Sequence, residues 1–257
     1  MNGLLALSAL HLASLQPHRA SALHISASIS KQAALPSFRK SVAEGKNEDI
    51  HAVFAFSWIL VPFVLAFSEG DDERSKIPNF DGENPHWFFA IRGLLVLFGN
   101  NWRELAKGPF SPLLSQSSGP YTHESNPDDS QLAKVHQLLA PKDQASAEEE
   151  RDLAVCRVAL DKLRVVSALP YAPCKTLPSI SSVYLWTGIV TDEYLQLVHA
   201  RKPEALVVLA YYCVLLKKSN DIWYLRGVGE NMLDAISNQL DEKWKPWITW
   251  AIQQQAG

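Results

Sequence analysis

Residues 201–219 read RKPEALVVLAYYCVLLKKS, and the reading of this stretch decides the fold. Pro203 suits the first turn of a helix, where its missing N–H costs nothing and its fixed φ is already helical. Glu204 follows in that turn, and Lys217 and Lys218 close the last one, the order the helix dipole favours. Between them, Ala205 to Leu216 carries no charged side chain on any face. A helix that is apolar all round lies in a protein core or in a membrane. About a dozen residues rise only ~18 Å against a hydrocarbon core of ~30 Å, so no membrane span is expected. The stretch predicts the buried central helix, about 203–218, of an all-α, irregular multi-helix array.

Working outward, Ile222, Leu225, Gly229, Met232, Leu233, Ile236 and Leu240 keep a helical spacing after the central helix. Trp244, Trp247 and Trp250 then gather around Pro246. On the other side, Thr191 suits the N-cap of a short helix opened by Asp192 and Glu193. Leu169 to Ser182 holds three prolines and reads as a linker between halves of the array. Ala147 to Leu169 is an amphipathic helix, with Leu153, Cys156, Val158, Leu160, Leu163 and Val166 set among charges. Gln131 to Ala140 reads as a short helix stopped by Pro141. A stretch rich in Ser, Pro, Gly and Asp, about 115–130, is expected to be a mobile linker.

The first half is also helical in pattern. Ala52 to Phe67 is strongly apolar and contains Pro62, which removes one helical hydrogen bond and is expected to kink the helix, opening space beside Trp58, Phe63 and Phe67. Asn84-Pro85 marks a helix start that leads into HWFFAIRGLLVLF, where Gly93 would admit a closely packed neighbour. Pro36 is expected to divide residues 21–40 into two short helices. Gly45 suits a helix stop, and Asn47 a new N-cap. The opening MNGLLALSALHLASLQPHRASA resembles a signal peptide in its apolar run but lacks a basic start. As a helix, it places Leu4, Leu7, His11 and Leu15 at helical intervals before Pro17.

At 257 residues and 47% hydrophobic, the chain can bury a substantial core, and one domain spanning 1–257 is expected. A net charge of −3, with no Lys/Arg cluster beyond pairs, argues against direct DNA binding. Cys156, Cys174 and Cys213 are odd in number and widely spaced, which suits a reducing compartment.

The central stretch resembles the C-terminal regulatory region of fungal zinc-binuclear-cluster transcription factors, in particular the sterol uptake control protein type. The resemblance rests on Arg201, Pro203, Glu204, Ala205, Leu206, Leu209, Ala210, Tyr212, Cys213, Leu215 and Leu216. Trp223, Tyr224, Gly227 and Gly229 match the segment that follows in that family. Trp87, Arg92 and Gly93 match another, and the opening MNGLLALSALHLA is similar to a segment inside the domain. The resemblance therefore implies that Met1 falls within a longer domain and that residues 1–22 are a structural helix. It also implies a nuclear or cytoplasmic regulator and leaves a homodimer open. The six clustered cysteines of the family's DNA-binding arm are absent here.

No catalytic constellation stands out: the chain has no nucleophile elbow, metalloprotease helix, phosphate loop or paired cysteines. Asp71-Asp72-Glu73 is similar to the opening of an isoprenoid-cyclase metal motif, but Ser75 stands where another Asp is needed. A solvated loop is expected, with no metal and no cofactor. The aromatics read first as core. The resemblance implies that some line an apolar pocket for a small hydrophobic, sterol- or isoprenoid-like ligand, with Trp58, Phe63, Phe67, Trp87, Phe88, Trp223, Tyr224, Gly227, Gly229 and Met232 as candidates. The expected function is non-enzymatic: ligand-responsive control of lipid or secondary-metabolite genes. The alternative is an enzyme or accessory biosynthetic protein that reuses the scaffold and its pocket.

Overall fold

The computed structural model describes residues 1–45, 49–67, 87–111, 123–141, 145–171 and 180–254, and the side chains of 66, 67, 98, 100 and 102 lie outside this description. The fold is all-α, with no strand among the described residues. By its contacts the chain forms two compact units, one holding the described residues up to 111 and the other those from 123 onward.

The first unit contains α1 (Asn2–Leu15), α2 (Ala20–Glu44), α3 (Ile50–Phe67) and α4 (Trp87–Leu105). Helix α1 packs on α2 through a short turn at Pro17–Arg19, α3 packs on α4, and both α1 and α2 reach α3. The buried face of α1 is Gly3, Ala6, Leu10 and Ala13, whereas Leu4, Leu5 and Leu15 are exposed. The leucine stripe is thus not the packing face. Small residues let the neighbours close in: a Cβ on Gly3 would lie 2.8 Å from the Phe56 ring.

Two further expectations are corrected in this unit. Helix α2 runs unbroken through Pro36 to Gly45, which ends it at φ 58. Both Pro36 and Gln32, whose carbonyl the proline leaves without its helical donor, are exposed, so water can replace the lost bond. Gly93 is exposed and has no close neighbour at its missing Cβ among the described residues. Helix α4 breaks its regular dihedrals at Asn101, whose side-chain amide donates to the Leu97 carbonyl at 2.8 Å. Asn47, Asn84-Pro85 and the acidic stretch 71–73 lie outside the described residues. No described helix is long and apolar enough to cross a membrane.

The second unit contains α5 (Asp129–Leu138), α6 (Ala147–Ser167), α7 (Ile180–Ile189), α8 (Asp192–His199), α9 (Pro203–Lys217), α10 (Val228–Gln239) and α11 (Lys245–Gln253). Helix α9 is the expected central helix: every residue from Ala205 to Lys217 is buried, and it packs against each of the other six. Its polar atoms are matched. Tyr212 Oη shares hydrogen bonds with Thr187 Oγ1 and the Val183 carbonyl, and Tyr211 Oη donates to the Trp247 carbonyl. The Tyr212 ring stacks on Trp186 with centroids 4.3 Å apart. Burying an aromatic ring while pairing its polar tip keeps the large hydrophobic gain without an orphaned donor.

Local signals set the remaining boundaries. Ser146 and Glu149 form a reciprocal capping box at the start of α6, and Thr191 caps α8. Residues 169–171 form a tight turn, and α6 and α7 on either side pack on each other. The expected linker 169–182 thus connects two helices of one unit, and its residues 172–179 lie outside the described residues. Of the expected linker 115–130, residues 115–122 lie outside the description. The rest forms a turn at His123–Ser125 and the start of α5, with Asp129 held bidentately by Arg164 at 2.7 and 2.8 Å. Residues 222–227 are turns rather than helix, and α10 begins only at Val228.

Candidate functional site

The last two turns of α9 present Tyr211, Val214 and Leu215, with Lys218 just past the helix end, at helical spacing to a cavity of about 200 Å³ in the second unit. Leu132 of α5, Ser182 in the first turn of α7 and Trp250 of α11 face the same space. Asn126, Asp128, Ser167, Pro170, Tyr171 and Ser219 complete it from turns and helix ends. Tyr211 and Trp250 stack with centroids 5.3 Å apart, giving one flat aromatic wall.

A polar cluster sits where the cavity reaches solvent. Lys218 Nζ lies 2.6 Å from Asp128 Oδ2 and 3.3 Å from Tyr171 Oη. Burial pulls the Lys218 ammonium down, but its hydrogen bonds to Asp128 and Tyr171 outweigh that and hold its pKa above the ordinary value. Asp128 and Lys218 are the only charged residues among the described residues lining the cavity. Further in, Ser182 is 1% exposed and its Oγ has no hydrogen-bond partner. An unsatisfied buried hydroxyl costs about 1–3 kcal/mol, so native proteins rarely keep one without an occupant to meet it. Ser219, equally buried, spends its hydroxyl on the Leu215 carbonyl.

The ten sequence candidates fall elsewhere. Trp58, Phe63, Phe67, Trp87 and Phe88 belong to the first unit. There Phe63, Trp87 and Phe88 are core residues, Trp58 is 36% exposed, and the Phe67 side chain lies outside the description. Trp223, Tyr224, Gly227, Gly229 and Met232 belong to the second unit. Trp223 packs edge-on against Tyr224, whose hydroxyl meets that of Tyr184 at 2.9 Å, and Met232 is core. None of the ten is among the described residues lining the cavity.

The two glycines have separate jobs. Gly227 sits at φ 78 as the N-cap of α10, a backbone state that L side chains rarely adopt. Gly229 presses on α9: a Cβ there would come within 2.8 Å of both the Cys213 carbonyl oxygen and the Lys217 amide nitrogen. Its bare backbone is filled by protein. Gly229 is a packing position.

The nucleophile inventory is subdued. Burial pushes the Cys156 thiol up to about 12 and the Cys213 thiol higher still, so both stay protonated at neutral pH. Cys174 lies outside the described residues. No group of three or more His, Cys, Asp or Glu able to hold a metal ion occurs among the described residues.

No family model matches the chain, and no solved structure matches it. A curated relative does: a Zn(2)-C6 fungal-type transcription factor of Gibberella zeae, 24% identical over 265 residues. The alignment takes in 98% of this chain and 52% of that protein, so the chain spans about half the length of the relative it matches. Similarity from end to end, rather than in one motif, supports kinship with fungal transcription regulators.

Proposed function

We propose that this chain is the ligand-responsive regulatory region of a fungal transcription factor, working in the nucleus without catalysing a reaction. The observation that carries the reading is the similarity to the Gibberella zeae transcription factor along nearly the whole chain. In this reading, the two units act together as one regulatory domain of the sterol uptake control type. A small hydrophobic molecule, sterol- or isoprenoid-like, shifts it between repressed and activating states and so controls lipid or secondary-metabolite genes.

The cavity beside the central helix supports the ligand part of this reading for the smaller, isoprenoid-like class, since at about 200 Å³ it is too small to enclose a sterol. An occupant there would touch the one helix on which every other described helix of the second unit packs. A ligand that prefers one packing arrangement biases the population by its differential affinity alone.

The test joins the chain to a heterologous DNA-binding domain in yeast and reads a matched reporter. Output should change when cells are fed or depleted of lipophilic extract, and native mass spectrometry of the purified chain should show a bound small molecule. A reporter that never departs from the level given by the DNA-binding domain alone would remove the regulatory reading.

A further inference from the structure

The cavity defines its occupant more narrowly than the word hydrophobic does. We propose that it binds a neutral molecule with one hydrogen-bonding head, a hydroxyl or carbonyl, on an apolar body of about ten heavy atoms in all. The proposal deepens the ligand-responsive reading and rests on it for its biological meaning.

Size sets the first limit. An apolar cavity of about 150 Å³ accepts benzene, whereas drug-sized ligands occupy roughly 300–1,000 Å³. At about 200 Å³ this cavity can enclose a body somewhat larger than one ring and is too small to enclose a fused four-ring skeleton.

Charge sets the second. Asp128 and Lys218 are the only charged residues among the described ones that line the cavity, and at 2.6 Å they neutralise each other. An anionic head would meet the Asp128 carboxylate, and a cationic head the Lys218 ammonium, with no free countercharge for either. Burying an unpaired charge is unfavourable, so a neutral head is selected.

The third limit is the hydrogen bond still open. Ser182 Oγ is 1% exposed and unpartnered, and a serine hydroxyl both donates and accepts. It can therefore pair with an alcohol or with a carbonyl oxygen. Leu132, Val214 and Leu215, with the stacked rings of Tyr211 and Trp250, supply apolar surface for the rest of the molecule.

The experiment uses the full chain and four probes: 1-octanol, octanoate, octylamine and cholesterol. Titration calorimetry should find 1-octanol binding at least about tenfold tighter than the two charged probes, a gap of about 1.4 kcal/mol. Cholesterol should not compete for the site. Ser182→Ala should lose about tenfold in octanol affinity while its melting temperature holds or rises, because it removes an unpaired buried hydroxyl. A purely structural serine could not give that opposite pair of changes. Val214→Phe, which fills the cavity, should abolish octanol binding in a chain whose helical circular dichroism is unchanged.

Octanoate binding as tightly as octanol, or octanol affinity unmoved by Ser182→Ala, would overturn the proposal. So would failure of all four probes to bind, since the cavity would then hold water only. If the yeast reporter responds to extract while octanol does not bind, the regulatory reading stands and this one falls. If octanol binds as described but never moves the reporter, the site stands and its regulatory role falls.

Discussion

Gly229 is seated on the backbone of Lys217: a Cβ on the glycine would lie 2.8 Å from the lysine amide nitrogen. The same lysine is 5% exposed and donates from Nζ to the carbonyls of Ala251 and Ile252, both at 3.3 Å. Helices α9, α10 and α11 are thus locked together around one residue. Gly229→Ala should destabilise the protein by about 1–3 kcal/mol through overpacking against backbone that cannot yield. Gly229→Asp should do worse, adding a carboxylate to a buried contact. Thermal melts of both variants, with octanol affinity measured below the melting range, check this. A variant that folds with wild-type stability would show that α10 can pull away from α9.

Arg164 donates two hydrogen bonds to the Asp129 carboxylate, and His123 Nδ1 lies 3.2 Å from that carboxylate and from the guanidinium. The Arg164 hydrogen bonds hold the Asp129 carboxyl below its ordinary value of 3.8. A depressed carboxylate contributes stability that is complete above the unfolded pKa and is lost as pH falls through the folded one. Asp129→Asn should therefore cost about 1.5–3 kcal/mol at neutral pH, the value of hydrogen bonds to a charged group. The gap from wild type should narrow as pH drops below about 4. Denaturant titrations at pH 7 and pH 3 measure it, and a gap that widens in acid would reverse the sign of the argument.

Arg201 occupies φ 57, the left-handed position that follows α8. Its N–H bonds to the Val198 carbonyl, and that of Lys202 bonds to the Leu197 carbonyl, the double closure in which glycine is the usual residue. One guanidinium nitrogen of Arg201 is buried without a partner. Arg201→Gly should raise stability by about 1 kcal/mol, since it relieves the backbone and removes the unpaired donor. A fall in melting temperature would show that the arginine contributes packing that outweighs both.

Cys156 and Cys213 should resist a thiol reagent in the folded protein, because both are buried and burial raises both thiols, Cys156 to about 12. With Cys174 replaced by serine, labelling at pH 8 should track the unfolding rate and jump on adding denaturant. Prompt labelling of two thiols per chain at native stability would contradict the burial of α6 and α9.

What the sequence reveals and hides follows from how local each cause is. The uncharged run Ala205–Leu216 can only be core, so the central helix was legible without its neighbours. Thr191 and Gly45 announce their boundaries through a hydroxyl and a missing Cβ, both read from one or two residues. The capping box is equally local, written in the Ser146-x-x-Glu149 spacing. The packing face of α1 was not legible, because an almost wholly apolar helix has no stripe to choose, and small residues won over leucines. The cavity was hidden for a different reason. Its walls come from positions as far apart as Asn126 and Trp250, and its telling atom is one serine hydroxyl among many. Phe63, Trp87, Phe88 and Met232, which the resemblance offers as pocket candidates, are core, as their bulk alone suggests.

Helix α9 is enclosed by all six of its companions, and this has a consequence for how the second unit breathes. None of its amides from Leu209 to Lys217 can meet deuterium until the helices around it have come apart. Partial openings of α8 or α11 would leave that ladder closed. Exchange along α9 should therefore be the slowest in the unit, and uniform from turn to turn, with a free energy equal to that of unfolding the whole unit. The helix that decides the fold is also its built-in gauge of stability: a ligand beside Tyr211 would slow its deuterium uptake even where no coordinate moves.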